Sequence, residues 1–135
     1  MFPFSTRILI ADDMATIRML VMSTLVELGY YDIIEAADGQ AAWDQLDTAR
    51  PHFELIISDL NMPNMNGLEL LKKVRADSRF ANVPVMLLTA ESEVSQVKEA
   101  VTAGVSNYLV KPFAADVFKQ KLQQTYQRAR VGQRA

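Results

Sequence analysis

Five short apolar runs alternate with five stretches of helical periodicity along this chain, and no other feature limits the fold as strongly. The runs cover residues 7–11, 33–36, 53–58, 83–88 and 107–110. Helical spacing follows each of them. It is carried by Ile17, Leu20, Val21, Thr24, Leu25 and Leu28, then by Ala41, Ala42, Trp43 and Leu46, then by Leu68, Leu71 and Val74. A fourth helix over residues 92–103 is built on Val94, Val97 and Val101, and a fifth over 114–128 on Val117, Phe118, Leu122 and Tyr126. The punctuation agrees. Gly29 and Gly104 follow helices, Asp38-Gly39 is a turn or cap, Pro51 stops the second helix, and Asn66 with Glu69 reads as a capping box. Pro84 is tolerable only near the start of its strand. Short strands without clean polar alternation, each followed by a helix, predict an α/β domain whose parallel sheet is doubly wound and covered on both faces.

The 135 residues, half of them apolar, suffice for one domain with a real core, expected over about residues 6–128, with no linker, repeat or output domain. The tail beyond residue 128 is expected to fray. A formal charge of -2 without a basic block excludes an ordinary nucleic-acid-binding domain. Lys119, Lys121, Arg128, Arg130 and Arg134 cluster near the C-terminus and read as a solvated helix face. There is no cysteine, hence no disulfide or thiolate metal site. No run approaches a membrane span, and the first residues do not form a secretory signal, so the expected location is the cytoplasm. Met14, Met19, Met22, Met62, Met65 and Met86 are expected mostly in the core, with Met62 and Met65 partly exposed. His52, the sole histidine, is expected on the surface beside Pro51.

In an open parallel sheet, sites form beyond the C-terminal ends of the strands. Asp12 and Asp13 end the first strand, Asp59 the third, Thr89 the fourth and Lys111 the fifth, while the second ends in Ala36-Ala37 and is expected at an edge. Three carboxylates in one crevice repel one another unless a cation joins them, and with only oxygen donors on offer a hard ion such as Mg2+ suits them. Carboxylates, a divalent cation, a hydroxyl and an ammonium together suit a phosphoryl group. Asp59 is then the nucleophile that forms an acyl phosphate, Thr89 a donor to one phosphoryl oxygen and Lys111 a point charge beside another. The absence of a glycine-rich phosphate loop argues against a bound nucleotide substrate.

The segments Ala-Asp12-Asp13, Ser-Asp59-Leu-Asn-Met-Pro63-Asn-Met-Asn-Gly67-Leu-Glu-Leu-Leu, Leu88-Thr89-Ala90 and Tyr108-Leu-Val-Lys111-Pro112-Phe113 stand in this order. With them the chain resembles a response-regulator receiver domain over about residues 6–127, and most closely the stand-alone chemotaxis regulators. The resemblance implies a flavodoxin-like (βα)5 fold with strand order 2-1-3-4-5. It implies that Asp59 takes a phosphoryl group from a sensor histidine kinase. Asp13, Asp59 and the main-chain carbonyl of Asn61 would ligate Mg2+, with Asp12 acting mostly through a coordinated water. Thr89 and Tyr108 would be the switch pair, Ala90 a small wall at the entrance, and Asn61 with Glu91 the pair that tunes loss of the phosphate. The Lys111–Pro112 bond would be cis. On physical grounds alone, Gly67 opens a helix, Pro63 stiffens a loop and Tyr108 is a packing residue. The chain departs from its chemotaxis relatives in the acidic stretch Glu91-Ser-Glu93, where they typically carry lysines, which puts complementarity to the same partner surface in doubt.

The implied output is a separate effector, such as a flagellar motor component, bound through the face of the fourth helix, fifth strand and fifth helix. The unphosphorylated protein would be a monomer with no nucleic-acid or membrane partner, and not an enzyme beyond its own phosphotransfer and autodephosphorylation. Two alternatives belong to the same fold, a relay intermediate passing phosphate to a histidine phosphotransfer protein and a phosphorylation-independent scaffold. A small phosphatase is disfavoured, because Asn61 occupies the place of its second, acid-base aspartate.

Overall fold

All four residues of β1 (Ile8–Ala11) and all five of β3 (Leu55–Asp59) are buried, as a strand covered on both faces requires. The computed structural model describes the backbone of residues 1–134 and, Val94 apart, the side chains of residues 1–130. Its elements follow as α1 (Ala15–Leu28), β2 (Ile33–Ala36), α2 (Gly39–Thr48), α3 (Gly67–Ala76), β4 (Val85–Ala90), α4 (Val97–Thr102), β5 (Asn107–Lys111) and α5 (Ala115–Arg134), with β1 before α1 and β3 before α3. The five strands are all parallel, in the order β2-β1-β3-β4-β5, with β2 at an edge. This is the doubly wound (βα)5 fold that the alternation predicts.

Strand periodicity splits the core in two. Leu9, Ile56 and Leu87 pack on one side with Leu46 of α2 and Leu70, Leu71 and Val74 of α3. Ile8, Ile10, Ile57 and Leu88 pack on the other with Val21 and Leu25 of α1 and Phe118 and Leu122 of α5. The predicted caps form. Gly29 closes α1 in the left-handed region, Asp38 caps α2 by accepting from Ala41 N, and Asn66 and Glu69 complete the capping box of α3.

Several expectations are corrected. β3 and β4 each begin and end later than predicted, because their register pairs Ile56 with Val85 and carries the ladder through Asp59 and Leu88. The predicted fourth helix is split into a 3-10 turn (Glu91–Gln96) and the short α4. The Glu93 carboxylate folds back to accept from Ala90 N at 2.9 Å, which ties the turn to the end of β4. Ala100 is the buried residue of α4, while Val101 is 61% exposed. In α5 the buried face is Phe118, Leu122 and Thr125, not Val117, which is exposed. Thr125 is tolerated there because its hydroxyl donates to the Lys121 carbonyl at 2.7 Å. The helix also runs on to Arg134 rather than fraying after Arg128. Leu68 is only half-buried, Met14 and Met19 are exposed, and Met62 is buried. His52 is half-buried, with its ring edge-on to Phe80 at 5.3 Å.

Gly67 does more than open α3. Its N–H donates to Leu60 O at 2.9 Å, and a Cβ at this position would fall on the carbonyl oxygen of Asp59. Gly39 is under the same constraint, since its Cβ would fall on the carbonyl oxygen of Met65. These two close approaches press the loop between β3 and α3 against the end of the sheet. Gly67→Ala is therefore expected to lower the unfolding free energy by about 2–3 kcal/mol, as an overpacked site does, read as a shifted urea midpoint at unchanged slope. A midpoint equal to that of the wild type would mean that the loop is free to move aside.

Candidate functional site

The parallel register places four strand ends side by side. Asp12 follows the last residue of β1, and its N–H donates to Ala36 O of β2 at 3.1 Å. Asp59 is the last residue of β3, Thr89 the penultimate residue of β4, and Lys111 the last of β5. Pairing of Thr89 with Val110 and of Ala90 with Lys111 sets the ends of β4 and β5 level.

Asp12, Asp13 and Asp59 each contribute a carboxylate oxygen to a group whose members lie within 4.8 Å of one another. Asp12 is fully buried and Asp59 only 4% exposed, whereas Asp13 faces solvent. Lys111 Nζ donates to Asp59 Oδ1 at 2.8 Å and stands 3.9 Å from Asp12 Oδ2. Asp12 Oδ1 accepts from Met14 N at 2.9 Å, but its Oδ2 is buried with no hydrogen-bond partner. Burial, opposed by the Met14 N–H and reinforced by the neighbouring charge of Asp59, pushes the Asp12 carboxyl up to about 6. Burial also raises Asp59, against the pull of Lys111.

One ammonium does not balance three carboxylates, and an orphaned buried oxygen is what a missing positive charge leaves behind. The all-oxygen donor set fits a hard divalent cation such as Mg2+. Thr89 is buried beside this cluster, and its hydroxyl donates to its neighbour Ala90 O at 3.1 Å. Ala90 itself is half-buried at the rim. Asn61 and Glu91 are both exposed, one on the loop after β3 and the other on the turn after β4. Tyr108 is half-buried on β5, with the Lys121 ammonium 5.2 Å from its ring centroid. The Lys111–Pro112 bond is cis, as the resemblance implies, and so is Arg50–Pro51.

The structure adds residues that strand-end logic missed. Asn64 adopts φ 67°, and its side-chain amide donates to Asp38 Oδ2 at 2.8 Å, tying the loop after β3 to the cap of α2. Pro63 O accepts from Met65 N at 2.7 Å within the same loop. Glu93 brings a further negative charge toward Asp59. The Asp38-Gly39 and Pro63-Asn64 pairs are local turn signals, but nothing local says that they meet.

The pH dependence follows from Asp12. A folded-state pKa near 6 against 3.8 means that the folded chain holds this proton more tightly, so the contribution of Asp12 to stability is full below about pH 4 and is lost as pH rises through 6. The difference between wild type and Asp12→Asn isolates this group. Without metal, the variant is expected to gain up to about 3 kcal/mol at pH 7, with the gain vanishing below pH 4. Mg2+ is expected to stabilise the wild type at pH 7 more than the variant. Urea unfolding at several pH values, with and without Mg2+, checks this, and a gain independent of pH would assign the burial cost to something else.

The chain matches the response regulator receiver domain family over residues 8–123. It is 47% identical over 117 residues to the chemotaxis protein CheY1 of Helicobacter pylori, covering 87% of this chain and 94% of that one. It is 42% identical over 122 residues to the chemotaxis protein CheY of Pseudomonas aeruginosa, covering 90% and 97%. Among solved structures it is similar to the chemotaxis response regulator CheY4 of Vibrio cholerae, with a TM-score of 0.81, 37% identity and coverage of 90% and 98%.

Proposed function

This chain belongs to the response-regulator receiver family, and from that premise we propose that it is a Mg2+-dependent signalling switch phosphorylated on Asp59. The observation that carries the reading is the 2.8 Å contact of Lys111 Nζ with Asp59 Oδ1 beside two further carboxylates. A carboxylate oxygen of Asp59 attacks the phosphorus of a phosphohistidine on a sensor histidine kinase. The P–N bond breaks, the imidazole leaves with the electron pair and takes up a proton, and an acyl phosphate stands on Asp59. Asp13, Asp59 and the main-chain carbonyl of Asn61, with Asp12 beside them, would hold a divalent cation, which would neutralise charge on the phosphoryl oxygens. Lys111 moves its ammonium from the carboxylate to a phosphoryl oxygen, and the Thr89 hydroxyl exchanges the Ala90 carbonyl for another.

The small side chain of Ala90 leaves the entrance open, while exposed Asn61 and Glu91 set how readily water attacks the phosphorus and resets the switch. Inward movement of Thr89 frees space for the Tyr108 ring, and the α4-β5-α5 face changes shape. A separate effector that prefers this form draws the population toward it. The relatives are named chemotaxis proteins, which supports an output in chemotaxis, such as a flagellar motor component.

Asp59→Asn is expected to abolish labelling by acetyl phosphate in the presence of Mg2+ while leaving the fold intact. Stoichiometric labelling of that variant, located by mass spectrometry, would put the nucleophile elsewhere. Lys111→Ala is expected to remain phosphorylatable but to lose most of the rise in effector affinity that phosphorylation brings, about fivefold or more for a typical coupling. Calorimetric titration of effector into phosphorylated and unphosphorylated variant checks this; an undiminished rise would remove Lys111 from the coupling.

A further inference from the structure

At the pole of the sheet opposite the carboxylates, the loops that lead into β4 and β5 leave a cavity of about 330 Å3 lined by Arg75, Asn82, Pro84, Ser106 and Arg128, among others. Arg75 reaches out from α3 and donates Nε to Gly104 O at 2.9 Å, Nη1 to Val83 O at 2.6 Å and Nη2 to Ser106 Oγ at 3.3 Å. Arg128 comes from α5 and donates Nη1 to Ser106 O at 2.8 Å. Two guanidinium groups from different helices therefore converge on one serine. All their partners are neutral. Among the described residues, no carboxylate lies within 4.0 Å of either, and none lines the cavity.

Burial works against the charge on Arg75, lowering its pKa, yet a guanidinium does not give up its proton. Two like charges brought to one residue without a counter-ion repel; Arg75 is half-buried, which weakens solvent screening on its side, while Arg128 stays exposed. This is the inverse of the carboxylate cluster at the other pole, and it calls for an anion as that cluster calls for a cation. Donors remain to hold one. A guanidinium has five N–H groups, of which these contacts use three on Arg75 and one on Arg128. Their planar forks match the oxygens of a phosphate, and two positive charges match a dianion.

The neighbouring space suits an organic body attached to that anion. A second cavity, of about 370 Å3, shares Asn82, Pro84 and Ala129 with the first and is walled by Phe2, Phe53 and Tyr126. The Arg130 guanidinium lies 5.6 Å from the centroid of the Tyr126 ring. The acid in this wall, Glu54, is engaged through Oε1 by Arg7 N, and the Arg79 guanidinium is paired with Asp47 and Asp77.

We propose that this paired cavity is a binding site for a small phosphate monoester, its phosphate held between Arg75 and Arg128 and its body lying on the aromatic wall. The site is separate from Asp59, so it gives the switch a second, metabolite-sensitive input at the far end of the sheet.

The test titrates adenosine 5′-monophosphate, inorganic phosphate and adenosine into the full chain without Mg2+, followed by amide NMR shifts. Without metal the carboxylate cluster repels phosphate, so binding there does not interfere. Saturable shifts at Asn82, Val105 and Ser106 are expected with the two phosphates and not with adenosine. Arg128→Gln, an exposed change that spares the fold, is expected to weaken binding about tenfold or more, whereas Asp59→Asn leaves it unchanged. Arg75→Gln is expected to weaken it too, provided thermal unfolding shows that variant folded. Shifts that never saturate in the millimolar range, equal affinity in Arg128→Gln, or shifts confined to the opposite pole would each overturn the proposal.

Discussion

The contact between Lys111 and Asp59 bridges β5 and β3 over the end of β4, and it is the shortest ion pair in a crevice crowded with carboxylates. At 2.8 Å the ammonium offsets one carboxylate and stands close enough to a second to moderate it. The effect of the remaining negative charge is plainest at Asp12, whose carboxyl is driven up by desolvation and has one oxygen without a partner. A site held in this state would answer strongly to a cation entering it and to a change in charge on Asp59. Responsiveness here is a consequence of incomplete neutralisation.

That arrangement needs a rigid frame, and the parallel sheet supplies one. The three central strands, β1, β3 and β4, are buried along nearly their whole length, so their ends have little freedom to spread apart as like charges would otherwise drive them. The loops are fixed with equal economy. Gly67 and Gly39 let backbone press on backbone, and the Asn64–Asp38 bond ties the loop after β3 to the cap of α2. On the other side, Glu93 fastens the turn after β4 to Ala90. The mouth of the site is therefore bounded by short tethers. The side-chain polar contacts of Thr89 and Tyr108, proposed above as the switch pair, are a hydroxyl–carbonyl bond and a cation–π contact.

Charge is also segregated along the sheet. Carboxylates gather where the strands end, and Arg75 and Arg128 gather where β4 and β5 begin. Among the described residues, the carboxylate cluster has one ammonium against three acids, and Arg75 and Arg128 have no carboxylate partner. The strands join the two poles through a continuous core, the element through which occupancy at one end would bias the other.

Much of this was legible in the chain itself. Alternating periods gave the five strands and five helices, because backbone hydrogen bonding imposes those periods locally. Asp12, Asp13, Asp59, Thr89 and Lys111 could be placed at strand ends for the same reason, and Asn66 with Glu69 announced a cap that formed. The failures share a cause. Val101 and Val117 looked like core and are exposed, and His52 is partly covered by Phe80, since each depends on what a distant segment lays against it. The sequence alone determined the order of elements and the chemical identity of their ends. Only the tertiary structure decided that Asp12 is buried while adjacent Asp13 is exposed, that Gly67 lies against Asp59, and that Arg75 and Arg128 meet at Ser106. Those are distances between residues far apart in the chain, set by strand order and register, and no local pattern encodes them.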